Sequence, residues 1–167
     1  MPSEDAISLL KADHKKVKTL LGELEKTTER GAKKREKLLG QIEKELKLHA
    51  TVEEQIFYPA YRDAVKKKED RELYFEAVEE HLMVKIVLPE IKATDASSEI
   101  FTAKASVLKE LVEHHIKEEE REMFPQARKV LDQDELQSLG GRMLARKKEL
   151  IAKGIPPSEE ELRIGKS

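Results

Sequence analysis

His49-Ala50-Thr51-Val52-Glu53-Glu54-Gln55-Ile56-Phe57-Tyr58-Pro59 returns later in the chain as His115-Ile116-Lys117-Glu118-Glu119-Glu120-Arg121-Glu122-Met123-Phe124-Pro125, and this repeated pattern, H-x-x-x-E-E-x-x-[FM]-[FY]-P, decides the fold. Residues four apart on a helix project from one face, one turn from each other, so each copy presents an imidazole and a carboxylate to a common point. A metal ion is bound by such pairs.

The repeat extends upstream. His14-x-x-Val17-Lys18-x-x-Leu21-x-Glu23-Leu24 matches His81-x-x-Val84-Lys85-x-x-Leu88-x-Glu90-Ile91 at an offset of 67, and the H-x-x-x-E copies match at 66. Two helical hairpins of one design predict an all-α fold, an up-down-up-down antiparallel four-helix bundle, with an additional short C-terminal helix. Within the first hairpin, His14 and His49 lie at nearly equal distances from the turn near Gly31, which brings them to one height.

The apolar series supports this reading. Ile7, Leu10, Val17, Leu21 and Leu24 recur in steps of three and four from a helix start near Ser3 to about Glu29, and His14 fills the one gap. Leu39, Ile42, Leu46, Ile56 and Ala60 do the same over 32–64, with His49 and Glu53 in phase and Pro59 predicting a kink or helix end beyond them. After a polar turn at Lys68 to Asp70, Tyr74, Ala77, Val84, Leu88 and Ile91 flank His81, and Pro89 bends that helix. Asp95 or a neighbouring serine caps a fourth helix running to about Leu131, on which Phe101, Ala105, Leu108 and Val112 lead to His115 and Glu119.

A fifth helix, from Asp134 to about Lys153, has Leu136, Leu139, Met143, Leu144, Leu150 and Ile151 available for packing, and Gly140-Gly141 weakens its middle. The bundle with this helix occupies 1–153, and 154–167 reads as a flexible tail.

Composition agrees. The 167 residues are 40% charged and 4% aromatic, as long helices with solvated outer faces require. There is no cysteine, so disulfides, thiolate ligands and cysteine nucleophiles are excluded. A net charge of -2 offers no field for nucleic acid or an anionic membrane, and the basic clusters Lys33-Lys34-Arg35 and Lys66-Lys67-Lys68 read as solvated surface. The N-terminus lacks the features of a signal peptide and no apolar run reaches membrane-spanning length, so the expected location is cytoplasmic.

Four histidines on four helices, with glutamates four residues after two of them, outweigh the ordinary reading of each as a hydrogen-bonded core residue. Two buried carboxylates cost several kcal/mol each if unpaired, roughly, and no Lys or Arg occupies the inner series near this layer. A cation offsets that cost. Imidazole with carboxylate suits iron, manganese, zinc or copper over calcium or magnesium, and six ligands exceed the needs of one tetrahedral zinc.

Over roughly Ala6 to Val130, the motifs D-H-x-x-V-x-x-L-L, H-x-x-x-E-E-x-x-F-Y-P, E-H and H-x-x-x-E-E-x-x-M-F-P resemble the hemerythrin-like, or HHE cation-binding, family. The resemblance implies two non-haem iron ions, oxo- or hydroxo-bridged, with His14, His49, Glu53, His81, His115 and Glu119 as ligands and the glutamates bridging. It implies binding or reduction of a small oxidant, namely oxygen, hydrogen peroxide or nitric oxide. The alternative is a non-enzymatic iron or oxygen sensor, or an iron-handling protein, whose metal occupancy controls stability and partner binding. Oxygen carriers of the family place a second histidine four residues from the first on helix three, where this chain has Ala77 and Lys85. One nitrogen ligand is missing by that standard, which makes the chain similar to the four-histidine members.

Nearby residues take lesser roles. His114 could pair with Glu118, but core phase and the repeat favour His115 with Glu119. Glu122, aligned with Ile56, reaches the metal or faces solvent. Glu54 and Glu120 lie on a flank, and Phe57, Tyr58, Tyr74 and Phe124 wall a pocket or fill core.

Overall fold

The computed structural model describes residues 4–155, which are helical almost throughout and contain no strand. Helix α1 spans Ala6–Glu25, and a single 3-10 turn, Glu29–Gly31, leads into α2, which covers 32–64. Helix α3 is Lys68–Lys92, α4 covers 99–130, and α5 is Gln133–Lys153. Helices α1 to α4 form the up-down-up-down bundle, with α1 against α2, α3 against α4, and α1 closing on α4. The fifth helix lies along α1 and reaches α2. No helix among the described residues is long and apolar enough to cross a membrane.

The helix starts show how the ends are fastened. Ser3 lies outside the described residues, as does most of the expected tail, and Asp5 is the cap of α1. Its Oδ1 accepts from the Ser8 amide at 2.8 Å, while its Oδ2 accepts from Arg128 at 3.1 Å and Gln133 at 3.2 Å. One carboxylate thus joins the start of α1, the end of α4 and the start of α5. The first helix stops at Glu25, short of the expected Glu29, because the Thr27 hydroxyl bonds the Leu24 carbonyl at 2.6 Å. Residues 68–70, expected as a turn, form the first turn of α3, where Glu69 and Asp70 suit the positive end of the helix dipole. Ser98 caps α4, and Asp132 with Glu135 makes a capping box on α5.

Arg35 departs from its sequence reading as solvated surface. It is buried, with Nε donating to the Thr27 hydroxyl, Nη1 to the Ala96 carbonyl and Nη2 to the Thr102 hydroxyl, all within 3.0 Å. A guanidinium carries five donors, and here loop carbonyls and hydroxyls satisfy them without a carboxylate. The contact ties the α1–α2 connection to the α3–α4 connection.

The apolar core falls into two clusters. One contains Ile7, Leu10, Val52, Phe57, Tyr58, Tyr61 and Phe124 with the inner face of α5. The other contains Val17, Leu21, Ile42, Leu88, Leu108 and Val112. The four inward histidines lie between them.

Pro59, expected to kink or end its helix, does not stop it, and Pro125 sits in the same setting. Helix α2 runs Ala32–Val52, widens to a π-helical turn over Glu53–Phe57, and resumes as Tyr58–Ala64; α4 does the same with Glu119–Met123 between Glu99–Glu118 and Phe124–Val130. The amides of Tyr58 and Phe124 reach back five residues, to the carbonyls of Glu53 and Glu119. Pro59 and Pro125 follow immediately, so the missing N–H and the ring's clash with the preceding turn are absorbed by the widening. In a regular helix five residues rotate about 500°, leaving the fifth side chain roughly 140° off the first. The wider π turn reduces that offset. Tyr58 therefore points inward beneath Glu53.

Helix α5 is unbroken at Gly140-Gly141. A Cβ on Gly140 would lie 2.5 Å from the Glu4 carbonyl oxygen, so glycine lets α5 touch the start of α1. Leu144 and Ile151, expected to pack, are 40% and 58% exposed, since α5 buries only one face. Gly140→Ala should destabilise the fold by about 1–3 kcal/mol through overpacking. Gly141→Ala, with open space around it, should be neutral or stabilising by up to ~1 kcal/mol. Urea unfolding of the two variants checks this, and equal effects would contradict the packing account.

Candidate metal centre

Each of the six side chains singled out in the sequence is buried, and all six converge. Glu53 and Glu119 are 0% and 1% exposed, and His14, His49, His81 and His115 lie between 2% and 7%. Two groups of close donor atoms form, His14-His49-Glu53-Glu119 and Glu53-His81-His115, with Glu53 in both. Glu53 Oε1 stands 2.9 Å from His49 Nε2 and 3.1 Å from His81 Nε2. Glu119 Oε1 stands 3.0 Å from His115 Nε2 and 3.2 Å from His14 Nε2. Each carboxylate thus spans from one hairpin to the other.

The spacing itself fits a cation. With metal–ligand bonds of about 2.1 Å, donors at right angles around one ion lie about 3.0 Å apart, which is the separation found here. Glu53 Oε2 is buried without a hydrogen-bond partner, His49 Nε2 has no partner besides its 2.9 Å approach to Glu53 Oε1, and the His81 and His115 Nε2 atoms face each other at 3.1 Å. Orphaned buried polar atoms are rare, and ring nitrogens so placed cannot both carry a proton between them. These donors fit metal ligation.

Every histidine is oriented by a carboxylate on its other nitrogen. Nδ1 of His14 meets Glu120 at 2.7 Å, His49 meets Asp13 at 3.0 Å, His81 meets Glu54 at 2.9 Å, and His115 meets Glu80 at 2.8 Å. The contacts run in a ring, α4 to α1, α1 to α2, α2 to α3 and α3 to α4. A carboxylate on Nδ1 fixes the tautomer and turns Nε2 inward. Glu54 and Glu120 were legible as flanking the site. Asp13 and Glu80 were missed, although the signal was present: each immediately precedes a core histidine, and each reaches the histidine of the next helix.

Tyr58 was also under-read. Its buried hydroxyl donates to Glu119 Oε2 at 2.9 Å and lies 3.1 Å and 3.3 Å from Nε2 of His81 and His115. It places an oxygen donor at the end of the layer where Ala77 and Lys85 leave no second helix-three nitrogen. At the repeat-related position, Phe124 stacks on His14 with centroids 5.6 Å apart. Phe57 and Tyr74 pack against these rings.

Other candidates fall outside this layer. His114 is exposed and pairs with Glu118 at 2.9 Å and Glu80 at 3.4 Å. Glu122 is exposed, although Ile56 at the repeat-related position of the other π turn is buried.

Protons occupy the electrostatic role of a cation in the metal-free protein. Burial pushes His49 toward its neutral form, but Glu53, Asp13 and Glu119 overcome this and hold its pKa up at about 10. His115 rises well above the usual imidazole range, against its burial, chiefly through Glu119. Glu53, which burial alone would raise, is held well below the usual range by His49 and hydrogen bonds from its neighbours. Asp13 is lowered despite burial by His49 and by Lys147 of α5, which grips both its oxygens.

A family model, the hemerythrin HHE cation binding domain, matches residues 5–127. The crystal structure of a hemerythrin HHE cation binding domain-containing protein from Mycobacterium kansasii is similar with a TM-score of 0.76 and 27% identity, covering 96% of this chain and 98% of that one. A DNA nickase from Nostoc sp. is 30% identical over 142 residues, which are 85% of this chain and 39% of that protein. The chain spans well under half the length of that relative.

Two outcomes follow from the site. Because the folded pKa of His49 lies above its ordinary 6.5, its contribution to metal-free stability is complete below that pH and is lost as pH rises toward about 10. Ferrous ion added to metal-free protein at pH 7.5 in weak buffer should therefore release protons, and a pH electrode registering none would contradict the competition. Asp13→Asn should weaken metal binding roughly 10–100-fold with all six inward donors intact, as measured by competition with a chelator.

Proposed function

Because this chain belongs to the hemerythrin HHE cation-binding family, we propose that its buried layer holds a pair of non-haem iron ions and that the protein binds or reduces a small oxidant: oxygen, hydrogen peroxide or nitric oxide. The observation that carries the proposal is the sharing of Glu53 between two groups of buried donors, with Glu119 spanning the same gap. His14, His49, His81 and His115 would hold the ions with the two glutamates between them, and Tyr58 would offer a further oxygen. Iron held there would supply the electrons for reducing the oxidant.

The chain's own residues set the conditions. The ring of carboxylates holds the imidazoles in one tautomer, so little rearrangement is needed when charge changes. Tyr58, kept protonated by burial and by Glu119 and Glu53, can donate a hydrogen bond to an oxygen at the His81–His115 end. Phe57, Tyr58 and Phe124 close one side of the layer against water.

One observation favours a second reading, that of a sensor. Lys147 of α5 grips Asp13, which orients His49, so occupancy of the layer is linked to a helix outside the four-helix bundle. DNA nicking, named for the Nostoc relative, belongs to a protein of which 39% is matched, and a net charge of -2 gives this domain no attraction for a duplex. It forms no part of the proposal.

Iron-loaded protein should contain close to two irons per chain by elemental analysis. In Glu119→Ala, iron content and the rate of peroxide consumption should both fall at least tenfold. Fewer than one iron per chain in the unaltered protein would overturn the proposal, and unchanged turnover in the variant would remove its catalytic half.

A further inference from the structure

The two sides of the histidine layer differ. Toward Tyr58, Phe57 and Phe124 the core is closed, while on the opposite side a cavity of about 240 Å³ reaches the layer. Its floor is formed by His14, His49, His81 and His115. Its walls include Val17, Leu46, Val84, Leu88 and Val112, one or two turns from those histidines on all four bundle helices, and Ile116 beside His115. Near the rim, Lys85 is engaged by Glu54 at 2.7 Å.

This space exceeds what a diatomic or peroxide needs. A water's share of liquid is about 30 Å³, so two ions and one solvent oxygen at the floor leave roughly 150 Å³, comparable with an apolar cavity that takes up benzene. The lining divides by chemistry: the four imidazoles make a polar floor, the residues beside them on the four helices are aliphatic, and Lys47, Thr51, Glu54, Gln55 and Lys85 add polar groups to the remainder. Aliphatic walls contribute binding free energy only to a ligand that brings apolar surface.

We propose that this cavity binds the hydrocarbon chain of an organic ligand, about six to eight carbons long, whose oxygen-bearing head, a carboxylate or hydroperoxide, lies against the histidine floor. The cavity then admits an oxygen-headed amphiphile as well as the small oxidant proposed above. The position of the head rests on the metal reading above; the seating of the chain rests on the walls alone.

The test uses straight-chain carboxylates from acetate to octanoate, titrated calorimetrically into the full chain in its iron-loaded and metal-free forms. Octanoate should bind at least tenfold more tightly than butanoate in both forms. In Val84→Trp and, independently, Leu46→Trp, which fill the cavity, that preference should shrink to less than twofold with iron content unchanged. Affinity independent of chain length in the unaltered protein, or a preference that survives in both filled variants, overturns the proposal. Failure to take up iron would defeat the metal reading separately, and the metal-free chain-length series would still decide on the cavity.

Discussion

The structure depends on placing two carboxylates in an apolar interior and surrounding them with cationic or metal-ligating nitrogen. Glu53 and Glu119 lose nearly all contact with water, a loss that requires compensation worth several kcal/mol per charge, roughly. In the metal-free protein His49 and His115, whose pKa values are raised by the inner glutamates, provide it by holding protons, and all four rings are oriented by carboxylates on their outer edges. Removing one outer carboxylate would release a ring, and a released ring would leave an inner carboxylate short of a partner. The layer is therefore a coupled unit, and the helices above and below it are held in register by it.

Two halves of related sequence build this unit. Each hairpin supplies an acid before its first histidine, a second histidine, a bridging acid and a flanking acid, and each acid reaches across to the neighbouring helix. The π turns belong to the same plan. They cost regular helical bonding next to the site, accommodate Pro59 and Pro125, and swing Tyr58 and Phe124 beneath the glutamates.

Much of this was legible in the sequence. Helical periodicity placed His14, His49, Glu53, His81, His115 and Glu119 on inner faces, and the repeat placed the hairpins, because burial of a regular helix follows a fixed period. What failed to read was whatever departs from that period or spans helices. The π turn moved Tyr58 inward, against simple phase counting, and Glu122 is exposed where its repeat partner Ile56 is buried. Asp13 and Glu80 stand beside the inner stripe and act on histidines of other helices, and Arg35 looked like surface because only the folded loops supply its acceptors. Gly140 looked like a weakness, since its contact with Glu4 joins segments far apart in the chain.

The substitution of phenylalanine for tyrosine between the two repeats has an effect on chemistry as well as packing. A hydroxyl stands at the His81–His115 end of the layer and a bare ring at the other. The two ends of the layer are therefore chemically inequivalent, one carrying a phenol hydroxyl and the other bounded by hydrocarbon. An internally duplicated scaffold thus yields a layer that distinguishes one end from the other.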